Sequence, residues 1–494
     1  MVFAGWISVA LYISFILYVV VGAARRTKDM ASYAVGNFQF SPAVVGLSLA
    51  AAMTSAATFI INPGFVAYYG ISGVLSMAIC LPLGSFFSLI MLSKGFRKIG
   101  NTVKAYTLAQ WVGARYESKE MALLFGVLSL LLITFIVLIC VGLTQVLSIT
   151  LQTDPFYTLV AIVIFTFGYM MFGGANSMVY TNFIQALLKV VVAFLLLGSG
   201  YAYFAGGWSE FLTRLNAIDP NLTSAYNPES PLFRDFFEVV ICQLIVGVAV
   251  VCQPHIITRS LMLKKDSDVN RYLTFAIIVL TLFFFVVFTG LYARLAFPNL
   301  QVNGKPLRLD ATMSTYIATQ FSPMTGLLMM LGLLSAGLAT LEGLIQSLSV
   351  TITSDLIKPM LGGKLPLAEI YINRLVIAFL GVVAIFISYQ QITHPDLSVG
   401  IFAQNGVYAY FAAMFVPILF GTFLKNVPAI VPTVSAVIGL VVHFSVYYGR
   451  LTPYMATGTR NPGIAAALAI VAAVSVGGIL QLILRSTSSQ QPKN

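Results

Sequence analysis

Charged side chains are scarce in this sequence. Asp, Glu, Lys and Arg together make up 9% of its 494 residues, whereas a soluble domain carries about 25%. Hydrophobic residues make up 59% of the chain, and its mean hydropathy is +0.92. So few charges cannot give a core of this size a solvated surface. The composition therefore excludes an ordinary soluble protein and predicts an all-α polytopic membrane protein.

Residues that often carry catalysis or bind metals are also few, with three histidines and four cysteines. No spacing of histidine, cysteine and carboxylate predicts a zinc site, a hydrolytic triad or a phosphate-binding loop. We therefore expect neither an enzyme nor an organic cofactor. The cysteines lie singly in apolar runs, which predicts buried free thiols. They are Cys80, Cys140, Cys242 and Cys252.

The formal net charge of +11 raises the question of a nucleic-acid partner. The basic residues form no stripe with interleaved aromatic residues but lie between apolar runs. This distribution is typical of membrane proteins and excludes nucleic acid as the expected partner. The expected partners are the lipid bilayer and a small-molecule substrate, with no obligate protein partner.

The distribution of Lys and Arg also predicts the orientation. The first apolar run, 2–24, has no basic region before it and no cleavage site after it, so we expect a retained helix. Arg25 and Arg26 follow it directly and place its end in the cytoplasm. Lys and Arg then concentrate in alternate loops. This pattern predicts a multi-pass protein of the inner or plasma membrane, with its N-terminus outside and its C-terminus in the cytoplasm.

Apolar stretches long enough to span a bilayer predict about thirteen transmembrane helices. The predicted spans are 2–24, 43–69, 72–93, 120–150, 156–176, 182–206, 236–256, 271–296, 324–354, 373–391, 398–424, 427–447 and 463–485.

The second of these stretches cannot be one smooth helix. Pro63 lacks the amide that the helix ladder needs, and Gly64 weakens the helix further. A break in lipid persists only where the freed carbonyl groups face protein, water or a ligand. We therefore predict a break at Asn62, Pro63 and Gly64, beside a binding site near the middle of the membrane.

Several stretches between the second and the ninth predicted helix stand in the order of one transporter family. They are residues 48–70, 172–174, 180–185, 253–259 and 333–358. With these stretches the chain resembles the sodium/solute symporter family, closest to its pantothenate and monocarboxylate branches. The resemblance implies a LeuT-type fold with two inverted five-helix repeats.

The implied organisation has four parts. The first, 1–42, holds the first helix and a cytoplasmic loop. The first repeat, 43–206, holds helices two to six, and the second repeat, 207–424, holds helices seven to eleven. The last part, 425–494, holds two peripheral helices and a short cytoplasmic tail.

The resemblance further implies a sodium ion between the broken second helix and the ninth helix. Backbone carbonyl groups near Ala51 and Thr54 would face hydroxyl groups on the ninth helix. The family usually has two adjacent hydroxyl residues there, whereas this chain has Ala339 and Thr340. Ala336, one turn earlier, completes the expected ion-binding set. One oxygen ligand is thus missing, which matters for a hard cation.

Three further positions bear on the coupling ion. Proline carriers have an acidic residue at the position of Met53, and several family members have an aspartate at that of Asn182. Glu342 lies in mid-span on the ninth helix, where a carboxylate by default marks an ion or proton pathway. We expect it either to bind sodium or to carry a proton. Lys189, two turns after Asn182, either forms a pair with Glu342 or extends to the cytoplasmic edge.

The substrate would lie against the broken helix, where Ser55, Thr58 and Asn62 provide polar groups. Gly247 and Val250 belong to the facing part of the seventh helix, which is small and apolar. These features favour a small carboxylate or amino acid, bound through a half-helix N-terminus.

Three functions remain open at this point. The first is a secondary active symporter that imports a small organic solute with sodium. The second is a proton-coupled symporter that uses Glu342 and Lys189. The third is a membrane sensor that binds solute without moving it. A sensor is less expected because the tail after Arg485 is short and polar and contains no signalling domain.

Overall fold

The computed structural model describes residues 2–25, 27–36, 40–302, 304–394, 398–456 and 458–489. Arg26 and the tail residues 490–494 lie outside these ranges. The described chain is helical except for its loops and one hairpin, in which Gln301–Val302 pairs with Lys305–Pro306. Helices dominate because a backbone in lipid has to satisfy its own N–H and C=O groups. The predicted all-α class is confirmed.

The described residues contain ten helices that are long and apolar enough to cross a membrane, and two bent helix pairs that would each form one more span. They are Val2–Ala24, the pair Pro42–Met53 and Ala57–Tyr69, Ile71–Val103, Lys119–Leu151, Pro155–Gly198, the pair Phe237–Val250 and Pro254–Met262, Asp268–Ala296, Pro323–Met360, Glu369–Thr393, Val399–Phe423, Ile430–Gly449 and Pro462–Ser489.

The element Pro155–Gly198 is too long for one crossing. Its 44 residues would measure roughly 66 Å as a straight helix, about twice the thickness of a bilayer core. Gly174 interrupts it with a φ of 60° and a ψ of −160°, outside the helical region. We therefore count its two halves as the fifth and sixth spans. The total then agrees with the thirteen predicted from the sequence, and ordinal numbers are used for the spans below.

Shorter elements lie between the spans. The short α-helices are Met30–Val35, Leu108–Arg115, Gly207–Ile218, Thr312–Gln320 and Pro453–Ala456, and the separate 3₁₀ turns are Tyr201–Phe204, Pro220–Thr223 and Leu309–Ala311.

The second span is broken, but earlier than predicted. Its halves meet at an angle of 57° across Thr54, Ser55 and Ala56. Pro63 instead stands in the first turn of the helix Asn62–Tyr69, directly after the wider turn Ala57–Ile61. The wider turn shifts the hydrogen-bond ladder directly before the proline, so the helix Ala57–Tyr69 continues through Pro63 without a break. The prediction of a break at residues 62–64 is therefore wrong in position.

Gly64 has a different role from the predicted one. A Cβ atom at this position would lie 2.3 Å from the backbone oxygen of Leu309. The glycine thus lets the turn Leu309–Ala311 approach the second span closely, rather than breaking the span.

The seventh span is also broken, which the sequence analysis did not predict. Phe237–Val250 and Pro254–Met262 meet at 62°. Gln253 has the extended conformation at the break, and Pro254 begins the second half. Pro254 was the available signal, since a proline restricts the residue before it to extended conformations.

The ninth span is the central helix of the structure. It packs against the first, second and fourth spans and against Pro155–Gly198, and every residue from Gly332 to Thr351 is buried. The first span, by contrast, exposes large side chains such as Phe3 and Tyr18 on its outer face. The four cysteines are buried and free, as predicted. Polar side chains on the ninth span therefore meet protein and not lipid.

Candidate functional site

The break in the second span frees two backbone oxygens at the end of its first half. Both accept hydrogen bonds from Lys189, whose Nζ lies 2.6 Å from the Ala51 oxygen and 2.5 Å from the Thr54 oxygen. Lys189 is completely buried. Its ammonium therefore does not extend to the membrane edge, and that interpretation of Lys189 is wrong. The cation of the side chain instead bonds the two carbonyl groups that the resemblance assigned to sodium.

The ninth span contributes one hydroxyl group beside these carbonyls. Thr340 Oγ1 donates to the Ala52 oxygen at 2.9 Å. Ala339 packs with Ala51 and Ala186 in a small apolar cluster and offers no side-chain oxygen. Ala336 is buried in the same continuous helix and likewise has only a methyl group to offer. The expected ion-binding residues thus lie together, but Lys189 already bonds the Ala51 and Thr54 oxygens.

Glu342 forms a second polar centre, one turn from Ala339. Its carboxylate is completely buried and accepts three hydrogen bonds. Tyr169 Oη donates at 2.5 Å, Thr181 Oγ1 at 2.6 Å and Gln185 Nε2 at 3.1 Å. Three neutral donors from the fifth and sixth spans therefore surround a carboxylate of the ninth. Nothing in the sequence spacing identified Tyr169, Thr181 or Gln185 as its partners.

Asn182 joins this centre as a fourth donor to Glu342, through its amide. With the amide oriented to satisfy its neighbours, its nitrogen donates to Gln185 Oε1 at 2.9 Å and to Glu342 Oε2 at 3.1 Å. Its oxygen then accepts from Arg259 Nη2 at 3.0 Å. Asn182 therefore connects the Glu342 carboxylate to the guanidinium of Arg259.

The predicted pair between Lys189 and Glu342 does not form. The ion pairs among the described residues do not include it, and the two side chains bond different partners. Arg259 is the positive charge that the Asn182 amide links to Glu342. It also donates to Ser48 Oγ and, at 3.1 Å, to the His255 oxygen. The chain thus holds two separated centres, a lysine on carbonyls and a glutamate among neutral donors.

The predicted substrate residues are distributed around the first break. Ser55 Oγ accepts from the Ala57 amide at 3.1 Å, Thr58 is buried in the following wide turn, and Asn62 is half-buried after it. Val250 ends the first half of the seventh span.

Gly247, also predicted to contact the substrate, lies against the third span. A Cβ atom there would lie 2.3 Å from the Leu81 oxygen, so Gly247 packs directly against the backbone of the third span. Its small size therefore serves helix packing.

Two further polar residues at the second break were not predicted as substrate contacts. Gln253 and His255 are buried, and in the described structure Gln253 Oε1 and both ring nitrogens of His255 have no hydrogen-bond partner. Buried groups of this kind usually meet water or a ligand. The segment Pro254–Ile257 packs between the second and ninth spans. His443 Nε2 lies 3.0 Å from both the backbone oxygen and the side-chain oxygen of Asn405.

Comparisons with known proteins agree with this architecture. Residues 33–452 match the model of the sodium:solute symporter family. The sodium/pantothenate symporter of Haemophilus influenzae is 27% identical over 350 residues, which cover 69% of each chain. The sodium/pantothenate symporter of Escherichia coli is 28% identical over 281 residues, covering 54% of this chain and 55% of that protein.

The solved structure of a Na⁺-coupled sialic acid symporter in a substrate-bound, outward-open state has the same fold. It superposes with a TM-score of 0.79 at 18% identity, over 97% of both chains. The family model matches most of the sequence, from the short helix Met30–Val35 before the second span to the region after the twelfth. This chain therefore belongs to the sodium:solute symporter family of multi-pass membrane transporters, which are not enzymes and couple the import of small organic solutes to sodium.

Proposed function

We propose that this transporter imports a small carboxylate or amino acid and that Glu342 holds the coupling cation. The observation that carries the proposal is the environment of the Glu342 carboxylate, which is completely buried and bonded to Tyr169, Thr181 and Gln185. The guanidinium of Arg259 reaches this carboxylate only through the Asn182 amide, and a buried carboxylate without a directly bound cation is costly. Sodium binding at Glu342 would supply that charge, with hydroxyl and amide oxygens nearby as further ligands.

Lys189 supports placing the ion at Glu342. Its ammonium bonds the Ala51 and Thr54 oxygens, and a sodium ion on the same oxygens would face a positive charge at contact distance. Two cations that close repel each other strongly in a low dielectric. Sodium therefore binds the carbonyl site only if Lys189 withdraws, whereas Glu342 attracts it directly.

The positions of Lys189 and Glu342 also favour proton coupling as a second candidate. Lys189 bonds the carbonyl oxygens that the resemblance assigns to sodium, and Glu342 is a titratable group inside the membrane. A proton on Glu342 would neutralise the carboxylate as sodium does, and Thr181 and Tyr169 would turn their hydroxyl groups to accept it. In this proton-coupled mechanism, one proton on Glu342 replaces one sodium ion in each transport cycle.

The substrate class rests on the relatives and on the two breaks. The relatives in Haemophilus influenzae and Escherichia coli are named for pantothenate, a carboxylate. Polar groups of Ser55, Thr58 and Asn62 lie along and after the first break. Gln253 Oε1 and the ring nitrogens of His255, which have no hydrogen-bond partner in the described structure, lie at the second. We propose that the solute binds between these breaks, where hydrogen-bond donors replace its hydration shell.

The four-part organisation and the orientation complete the proposal. Each proposed five-helix repeat begins with a bent span, at 57° in the second span and 62° in the seventh, as repeats of one fold would.

The proposed location is the inner or plasma membrane, with the N-terminus outside and the C-terminus in the cytoplasm. Arg25 and Lys98, on predicted cytoplasmic segments, are both exposed, which accords with the positive-inside rule.

The deciding experiment measures uptake of labelled carboxylates and amino acids, with pantothenate among them, into liposomes that contain the purified protein. Imposed gradients of sodium or of protons are compared in separate assays. Uptake that follows only the sodium gradient supports the first candidate, and uptake that follows only the proton gradient supports the second. If the protein binds solutes but none of them shows counterflow of labelled substrate, the protein is instead a sensor.

The variant Glu342→Gln tests the role of the carboxylate. It keeps the size and one acceptor oxygen but removes the charge, so gradient-driven uptake should fall to the level of empty liposomes while exchange of bound substrate continues. Glu120→Gln is the matched control, since Glu120 is exposed and should transport like the wild type. Driven uptake that survives in Glu342→Gln would contradict the proposal.

A further inference from the structure

A cavity outside the transport site opens between the first span, the fifth span and the tenth. Its volume is about 440 Å³. Apolar residues of the first span, Leu17, Val20 and Val21, line one side. Two arginines, Arg25 and Arg374, line it as well. The cavity therefore combines an apolar wall with two positive charges.

Arg374 is held in a defined orientation at this cavity. Its Nε donates to the Met171 oxygen at 3.2 Å. Its guanidinium carbon lies 4.7 Å from the centre of the Phe172 ring and 5.1 Å from that of the Tyr371 ring. Both rings belong to side chains with about half of their surface exposed. The two aromatic contacts position the guanidinium without neutralising its charge. Its outer nitrogens remain available to a ligand.

No carboxylate of the described residues forms an ion pair with Arg25 or Arg374. The four ion pairs found there join other residues, such as Arg97 with Asp266 and Lys358 with Glu369. A guanidinium that lines an apolar cavity without a counter-ion favours an anionic ligand, because Arg binds phosphate oxygens in a bidentate manner.

The position of the two arginines identifies the source of that anion. Arg25 directly follows the first span, and Arg374 lies near the start of the tenth. Both helix ends are those predicted to face the cytoplasm, and the exposed large side chains of the first span face lipid. The arginines thus stand at the level of lipid head groups, while the apolar wall continues toward the acyl chains.

We propose that this cavity binds the head group of an anionic phospholipid, with Arg25 and Arg374 on its phosphodiester and the first span along an acyl chain. Tyr169 also lines the cavity, and its hydroxyl group donates to Glu342. A lipid in the cavity therefore packs against the residue that positions the carboxylate. The lipid site itself does not depend on which cation Glu342 binds.

The test measures lipid binding to the full-length protein purified in detergent. Phosphatidylglycerol and phosphatidylcholine are added at equal concentration, and the lipid retained on the protein is counted by native mass spectrometry. The double variant Arg25→Gln/Arg374→Gln should retain about tenfold less phosphatidylglycerol than the wild type, since each basic residue near a lipid surface contributes to binding. Lys98→Gln is the matched control, because Lys98 is an exposed basic residue of another predicted cytoplasmic segment.

Further arms separate the possible outcomes. Arg374→Lys keeps the charge but loses the planar guanidinium, so its retention should fall between those of the wild type and the double variant. Inorganic phosphate at the same concentration should not displace the lipid, because it lacks the acyl chain. Equal retention of both lipids by the wild type, unchanged retention in the double variant, or displacement by inorganic phosphate would each overturn the proposal. Size-exclusion profiles establish that every variant is folded.

Discussion

Two buried charges of opposite sign define this transporter at the scale of single residues. Lys189 bonds the carbonyl oxygens of Ala51 and Thr54, and Glu342 bonds neutral donors. A direct ion pair would neutralise both at once and leave neither free to bind a transported ion. Their separation instead leaves each centre with a distinct chemistry. Glu342 can accept a cation, whereas Lys189 supplies one.

Replacing Lys189 tests whether its ammonium stands in the place of sodium. In Lys189→Met the Ala51 and Thr54 oxygens lose their donor, and each buried unpaired oxygen costs about 1 to 3 kcal/mol of folding free energy. We expect a lower Tm in choline chloride. Sodium should then raise the Tm of the variant more than that of the wild type, because the ion can bind the vacated oxygens. Thermal unfolding in the two salts measures both effects.

Lys98→Met serves as the control for this experiment, since Lys98 is exposed and should leave the sodium response unchanged. A sodium response in Lys189→Met no larger than that of the wild type would mean that the vacated oxygens do not form a cation site.

At the scale of elements, breaks in helices place the functional groups. The break in the second span frees the oxygens that Lys189 bonds, and the break in the seventh places Gln253 and His255 in the interior. The kink at Gly174 separates Tyr169, on the fifth span, from Thr181 and Gln185 on the sixth. All three side chains nevertheless reach Glu342. The geometry of the carboxylate site therefore depends on this kink.

Gly174→Ala should destabilise the protein and weaken transport together. Gly174 has a φ of 60° and a ψ of −160°, a region populated almost only by glycine, and an alanine held there costs about 1 to 3 kcal/mol. A Cβ atom there would also lie 2.6 Å from the Tyr33 ring and 2.8 Å from the Tyr33 oxygen. We expect a fall in Tm and slower driven uptake, measured on the same preparation.

Gly168→Ala provides the matched control in the same element. A Cβ atom at Gly168 would meet nothing within 4 Å, and alanine favours a helix over glycine by about 1 kcal/mol. An equal or higher Tm is expected for this variant. Equal losses of Tm and of driven uptake in Gly168→Ala and Gly174→Ala would show that the kink at Gly174 does not cause those losses.

At the scale of the whole molecule, the buried cysteines allow a direct test of orientation. All four native thiols are buried, so a membrane-impermeant maleimide should not label the wild type in intact cells. Ser209→Cys introduces an exposed thiol in the loop predicted to be extracellular, and Lys98→Cys introduces one on the predicted cytoplasmic side. Labelling of Ser209→Cys alone is expected in intact cells, and of both variants after permeabilisation. Labelling of Lys98→Cys alone in intact cells would reverse the orientation.

The sequence by itself determined the class of the protein, the number of spans and most of their limits. These features follow from composition and from the length of apolar runs, which depend on neighbouring residues along the chain. The predicted helix 2–24 and the observed Val2–Ala24 agree for this reason. The general place of the ion site, between the second and ninth spans, followed from the family resemblance and remains a proposal.

Only the tertiary structure decided what each buried polar side chain bonds. Pro63 was taken to mark the break, but the chain bends across Thr54, Ser55 and Ala56, and the wider turn Ala57–Ile61 lets the following helix continue through the proline. Lys189 and Glu342 could have paired on grounds of charge, yet the packing of the sixth span directs Lys189 to the second span and Glu342 to Tyr169, Thr181 and Gln185. Such contacts join residues more than a hundred positions apart, and local sequence patterns carry no information about them.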